Sequence, residues 1–185
     1  MNNNYQTRHI FLAFSICVAI LSPICLLFVP QLVAEIVHYS SDMWHVFVPS
    51  ENFIVYGAGF LLIFLAVLLP FLFNIKKISF ILSIVCLLLS VIPFYVASQS
   101  YKSISEDSIS FSSLFSNKAY SYDWNQIKAI IYYESDDSDY SEYEFLFHDG
   151  NSMTIQENQY FNDIRLRFDH KLNEQEIKLE KVKKF

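Results

Sequence analysis

Two imidazoles and two carboxylates sit close together in an otherwise apolar stretch. Glu35, His38, Asp42 and His45 follow spacings of three, four and three residues. On an α-helix that spacing puts all four on one face, opposite Val33, Ile36, Trp44 and Phe47. Imidazole and carboxylate are acceptable ligands for zinc or a similar ion, so the four form a candidate metal site. Imidazole also titrates near neutral pH, which makes the same face a candidate pH sensor. The plainer alternative is the water-facing side of an interfacial helix, with Pro30, Ser40 and Ser41 working against helical continuity.

Other chemistry is thinly represented. The acidic run Glu134–Glu142 suggests calcium, and from Asp137 the residues Asp139 and Ser141 fall on ligand positions of the EF-hand loop. Position six is then Glu142 where glycine makes the sharp turn, and position twelve is His148 where a bidentate glutamate belongs, so the template fails. His148 and Asp149 adjoin a turn signal, with no recognisable serine or cysteine nucleophile beside them. With only Gly57, Gly59 and Gly150 in the chain, there is no phosphate loop, dinucleotide fingerprint or nucleophile elbow. Cys17, Cys25 and Cys86 all lie inside apolar runs without a CxxC pair and read as small hydrophobes. No catalytic residue and no cofactor is expected.

The elements that carry these residues are set by where the charge is missing. The chain has 185 residues, 53% apolar, with a formal net charge of −6. Arg8, Lys76 and Lys77 balance Glu35, Asp42 and Glu51 over residues 1–97, so the whole excess of acid belongs to the tail from Ser98 onward. An acidic tail with its charges mixed argues against nucleic acid, which wants clustered Lys and Arg. Three uncharged apolar runs remain, about 10–29, 53–73 and 78–97, each long enough to cross a bilayer as a helix. The first exceeds the usual apolar core of a signal peptide and has no good cleavage site behind it, so it is expected as an uncleaved span. Pro23 inside it should loosen the helix locally. Residues 31–48 read as an amphipathic segment on the membrane surface, with Trp44 at the interface. On the third span Ser79, Ser83, Cys86 and Ser90 share one face, the expected packing seam.

At Ser98 the period changes. Residues 101–105 and 108–111 alternate around Glu106-Asp107, and 119–124, 127–133, 143–148 and 152–156 read as further strands. Asp149-Gly150-Asn151 is a hairpin turn signal. Phe161, Ile164, Phe168 and Leu172 then form one apolar helical stripe over about 158–173, with Asn158 as a plausible N-cap. Ile177–Val182 reads as a short strand or a fraying end. The fold class is therefore an α+β membrane protein: a three-span region over residues 1–98, then a small antiparallel β domain over 99–185 closed by a C-terminal helix.

The runs Tyr-Lys-Ser-Ile-Ser-Glu-Asp-Ser-Ile-Ser-Phe (101–111) and Tyr-Asp-Trp-Asn-Gln-Ile-Lys-Ala-Ile (122–130) resemble bacterial pleckstrin-homology-like domains, which often follow two or three membrane spans. Trp124 and Ile127 match the point where such a chain enters a strand after a short turn. The resemblance covers about residues 99–175. It implies a curved antiparallel sheet capped by the helix from Asn158, and no catalytic residues. The head-group pocket of eukaryotic relatives needs a basic loop between the first strands; here Ser112–Lys118 holds only Lys118, so no phosphoinositide site is expected.

Taken together, the sequence predicts a non-enzymatic, membrane-anchored interaction or regulatory protein. Its partners would be the lipid bilayer and a protein or peptide at the C-terminal domain. The alternatives are an accessory subunit of a transport or envelope complex working through its spans, or a metal- or pH-responsive sensor using the first loop. None of the three spans carries an ionisable group, which counts against a pump or proton-coupled transporter. The positive-inside rule, weighing Arg8, Lys76 and Lys77 against Lys102 and Lys118, favours a cytoplasmic N-terminus and a tail outside the cell membrane; the resemblance implies the reverse, a cytoplasmic tail.

Overall fold

A computed structural model of the chain describes residues 2–116, 118–135 and 140–184. The chain divides into two units, one built from residues 1–37 and 48–100, the other from 38–47 and 101–185.

The first unit is three helices: α1 (Asn2–Val37), α2 (Ser50–Leu72) and α3 (Lys77–Ser98). All three are long and apolar enough to cross a membrane. At about 1.5 Å per residue, the 23 residues of α2 and 22 of α3 each match a hydrocarbon core of about 30 Å. The 36 residues of α1 exceed it. The expected seam on α3 is present: Ser79 and Ser90 are buried, and Ser83 Oγ donates to the Ala66 carbonyl of α2. Gly59 of α2 lies against the Phe94 ring; a Cβ there would come within 2.9 Å of it. Such close approach is what a missing side chain permits.

Two polar contacts set the direction of the helices. Asn52, buried at the start of α2, donates from Nδ2 to the carbonyls of Ala97 (3.0 Å) and Ser100 (2.7 Å) at the end of α3. At the opposite end of the unit, Arg8 Nε donates to the Phe71 carbonyl at 3.1 Å, and its guanidinium lies 4.5 Å from the Phe71 ring centroid. The turn from α2 to α3 places Asn74 (φ 52°) and Ile75 (φ 58°) in the left-handed region, with Ile75 N–H donating to the Pro70 carbonyl. Asn tolerates that conformation; for a β-branched residue it is strained by about 1–2 kcal/mol.

The second unit holds eight strands among the described residues, in two four-stranded sheets. The first sheet is an antiparallel meander of β1 (Met43–Phe47), β2 (Tyr101–Ser105), β3 (Ser108–Ser112) and β4 (Ala119–Asp123), in that order. The second contains β5 (Ile127–Ser135), β6 (Glu142–Phe147), β7 (Ser152–Gln156) and β8 (Leu179–Lys184), ordered β7-β6-β5-β8. Helix α4 (Gln159–Glu174) buries Phe161, Ile164, Phe168 and Leu172, the stripe read from the sequence. Asn158 caps it, with its side chain accepting from Phe161 N–H at 3.0 Å. The core joins both sheets to this stripe through Ile104, Ile109, Trp124, Ile130, Phe145 and Ile155. Gly150, at φ 90°, makes the β6–β7 turn.

Three expectations need correction. The amphipathic segment 31–48 does not form: α1 continues to Val37, and Met43–Phe47 is a strand pairing with β2, with Phe47 opposite Lys102. Met-Trp-His-Val-Phe is aromatic and β-branched, and pairing satisfies its backbone while burying Val46 and Phe47. The β domain therefore begins at residue 38 and is interrupted by α2 and α3, in place of a continuous 99–185. Nor is it wholly antiparallel. The chain returns after α4 to add β8 parallel to β5, with Ile130 opposite Leu179; a connection containing a helix is what a parallel neighbour requires.

Candidate functional site

The four residues of the candidate metal face fall on three kinds of structure. Glu35 is in the last turn of α1 and accepts from Gln31 Nε2 at 2.8 Å. His38 follows the helix and stacks on Tyr101, with ring centroids 3.7 Å apart. Asp42 lies in the turn before β1, where its carbonyl accepts from Glu106 N–H and its carboxylate from Ser41 Oγ. His45 is on β1, stacked on Tyr160 at 4.9 Å and edge-on to Phe47 at 4.8 Å. No helical face gathers the four, and both imidazoles have a ring packed against them. Among the described residues no group of three or more His, Cys, Asp or Glu side chains is placed to hold a metal. Asp137 and Asp139 of the calcium template lie outside the described residues.

A different set converges instead, in a groove of about 260 Å³ lined by Trp44, Glu106, Leu166, Arg167, His170 and Lys171. Its position follows from α4. Because Ile164, Phe168 and Leu172 face the core, the helical period of 3.6 turns Leu166, Arg167 and His170 outward, with Lys171 on the flank. Across from them, β1 supplies Trp44 and the β2–β3 turn supplies Glu106. Trp44 rests on Trp124 at 5.7 Å, and Trp124 on Phe168 at 6.2 Å, so a run of tilted aromatic contacts ties this wall to the core.

Glu106 is clamped from two sides. Its Oε1 accepts from Lys171 Nζ and its Oε2 from Trp44 Nε1, both at 3.1 Å. The ammonium and then the indole hold the carboxyl below its ordinary range, and the carboxylate in turn raises Lys171. Lys171 also reaches Glu174 at 3.3 Å. Its side chain is 11% exposed against 56% for Glu106, so the cation is the sheltered partner. A carboxylate with both oxygens engaged and a lowered pKa is a poor proton acceptor. The groove sets two cations and an imidazole, with Lys171 already paired, beside apolar surface.

No protein-family model matches the chain, and no curated protein matches it.

Leu166 is the anomaly at the rim. It is 86% exposed on a helix whose apolar stripe is complete without it. That is the one signal in the sequence that could have marked the groove: an aliphatic residue off the stripe, next to Arg167. Trp44 and Glu106 carried no such signal, because their proximity depends on β1 joining β2 across more than fifty residues of chain.

The helical unit carries a second concavity, of about 320 Å³, between α1 and α2. Ala19, Ser22, Pro23 and Leu26 line one side and Gly57, Phe60, Leu61 and Phe64 the other.

Proposed function

We propose that the chain is a multi-pass cell-membrane protein whose β domain is a non-enzymatic interaction module, pleckstrin-homology-like in kind, with the groove beside α4 as its contact surface. The observation that carries this reading is Leu166, exposed beside Arg167 and His170 above a wall pinned by Trp44, Glu106 and Lys171. An aliphatic side chain that folding does not use, on a rigid and partly cationic surface, is the composition of a docking site. The pleckstrin-homology-like assignment is supported by two four-stranded sheets with an amphipathic helix packed on their core.

Membrane spanning is supported by pairing inside the β domain. β1 precedes α2 and β2 follows α3, yet the two strands pair. They must lie on the same side of any membrane the helices cross, and a chain that crosses and returns through α2 and α3 meets that condition. Charge supports one orientation. Arg8, Lys76 and Lys77 gather at one end of the helical unit, while Glu35 and Glu51 lie at the other. The positive end faces the cytoplasm, which leaves the β domain outside.

A benzophenone side chain in place of Leu166 should give discrete photo-crosslinked adducts in cells, and one in place of the exposed Lys128 on β5 should not. Equal patterns at the two positions, or no adduct at Leu166, would overturn the module. The apolar groove between α1 and α2 favours a second reading, an accessory subunit that docks through its spans. Adducts at Leu61 with none at Leu166 would select it.

A further inference from the structure

We infer that the end of the helical unit where α1 starts and α2 turns into α3 binds one anionic phospholipid, its phosphate held between Arg8 and Lys77. The inference rests on the helices crossing a membrane and lies apart from the β-domain groove. The first argument is geometry. Phe11 of α1 meets Phe80 of α3 edge-on, with ring centroids 5.9 Å apart. Arg8 lies one helical turn before Phe11, and Lys77 one turn before Phe80. At about 1.5 Å per residue, each cation sits about 4.5 Å beyond that aromatic contact, at the same end of the unit. Arg8 is half-buried and fixed. Its Nε donates to the Phe71 carbonyl at 3.1 Å, and its guanidinium lies over the Phe71 ring. The Nη edge makes no hydrogen bond among the described residues and is a planar fork suited to a phosphate. Lys77 and its neighbour Lys76 are exposed, on stems long enough to follow a head group.

The second argument is charge, which nothing in this unit opposes. Residues 1–34 and 52–100 hold no Asp or Glu. Glu35 and Glu51, at the far ends of α1 and α2, are about 40 and 30 Å away by helical rise. The screening length at physiological salt is only about 8 Å. The helix dipoles agree. α3 begins at Lys77 without a side-chain cap, so its first N–H groups point to this end. α2 ends here, but its last carbonyls are taken: Leu69, Pro70, Phe71 and Phe73 accept from Phe73 N–H, Ile75 N–H, Arg8 and Lys76 N–H. The third argument selects a lipid over a soluble phosphate. Ile10, Phe14, Ile78 and Ile81 are exposed on α1 and α3 within two turns of the cations. Acyl chains cover that surface while the head group stays with the basic residues. A soluble anion or an acidic peptide would leave it bare.

The test titrates the full chain in neutral detergent with phosphatidylglycerol and, separately, with phosphatidylcholine, and reads bound lipid by native mass spectrometry. Detergent has no sides, so the effect of these charges on orientation does not enter. We expect one saturable phosphatidylglycerol, bound in preference to phosphatidylcholine and weakened about fivefold for each charge removed by Arg8→Gln or Lys77→Gln. Lys77→Gln, at an exposed position, tests the site without disturbing the bond from Arg8 to Phe71. Lys128→Gln removes the same charge from β5 and should leave binding unchanged. Equal uptake of the two lipids, or equal affinity in Lys77→Gln and the parent chain, would overturn the inference. So would displacement of the lipid by an equal concentration of glycerol phosphate or of a Glu-Asp-Glu-Asp peptide, which would give the patch to a soluble anion or to a protein. Alkaline carbonate extraction of cell membranes separates the two levels. If the chain stays in the membrane and shows no lipid preference, only the lipid site falls; if carbonate releases it, the membrane-spanning reading falls too.

Discussion

At the scale of single residues, Glu106 decides more than its exposure suggests. Its carboxylate links the β2–β3 turn to β1 through Trp44 and to α4 through Lys171. Its folded pKa lies below the ordinary 4.5. The stabilisation from its charge is therefore complete above that ordinary value and is lost as pH falls through the lowered one. Acidification through that lowered pKa should release Lys171 and change Trp44 emission, with Trp44 one of only two tryptophans. Glu106→Gln keeps an acceptor for the indole and should abolish the acid step; a step of unchanged size and midpoint in that variant would exclude Glu106 as its source. The histidines act differently from the ligand set their spacing suggested. His38 and His45 pack against Tyr101 and Tyr160 as flat rings, a use that the one-dimensional pattern of His and acid does not distinguish from metal binding.

Among the elements, α2 carries the sharpest packing constraint. Gly59 and Gly57 are two residues apart on one helix, but their surroundings differ. A Cβ on Gly59 would meet Phe94 at 2.9 Å, whereas one on Gly57 meets only Leu26 at 3.9 Å. Phe94 is itself hemmed in by Tyr56 and Phe60, so it has little room to give. Gly59→Val should destabilise the α2–α3 pair by about 1–3 kcal/mol, the usual cost of overpacking. Gly57→Ala should be close to neutral. Thermal denaturation in detergent would compare them, and equal midpoints would contradict the packing described. The glycines were visible in the sequence as places for close approach, but which of them is approached depends on the rotation of α2 against its neighbours. The seam on α3 was legible for a better reason. Four small residues at helical spacing in an otherwise bulky run leave one side that can pack closely.

For the whole molecule, orientation rests on few charges. Arg8 is brought to the α2–α3 turn by its hydrogen bond to Phe71, so it joins Lys76 and Lys77 there, three cations against Lys102 and Lys118 on the other side. Lys76→Glu with Lys77→Glu would leave Arg8 alone there. A tail fusion to paired reporters, each active on only one side of the membrane, should then show a substantial fraction of chains inverted. An unchanged reporter ratio would remove the basis for placing the β domain outside. The pairing of β1 with β2 adds a constraint that charge does not supply. Whatever the orientation, residues 43–47 and the tail must reach the same side before the first sheet can close.

The sequence by itself determined what depends on long or local patterns. Three charge-free runs specify three apolar helices because no polar group interrupts them. Phe161, Ile164, Phe168 and Leu172 specify α4 and its buried face, and Asn158 its start. Asp-Gly-Asn specifies the β6–β7 turn because glycine carries the positive φ. Only the tertiary structure decided the fate of short segments whose partners are distant. Met43–Phe47 is too brief for its period to separate helix from strand, and its partner, β2, lies beyond two helices. Leu179–Lys184 gains its place as a parallel neighbour of β5 only after α4 has returned the chain. The groove beside α4 follows from the first of these pairings: Trp44 and Glu106 come together through hydrogen bonds between β1 and β2, and no spacing along the chain encodes them.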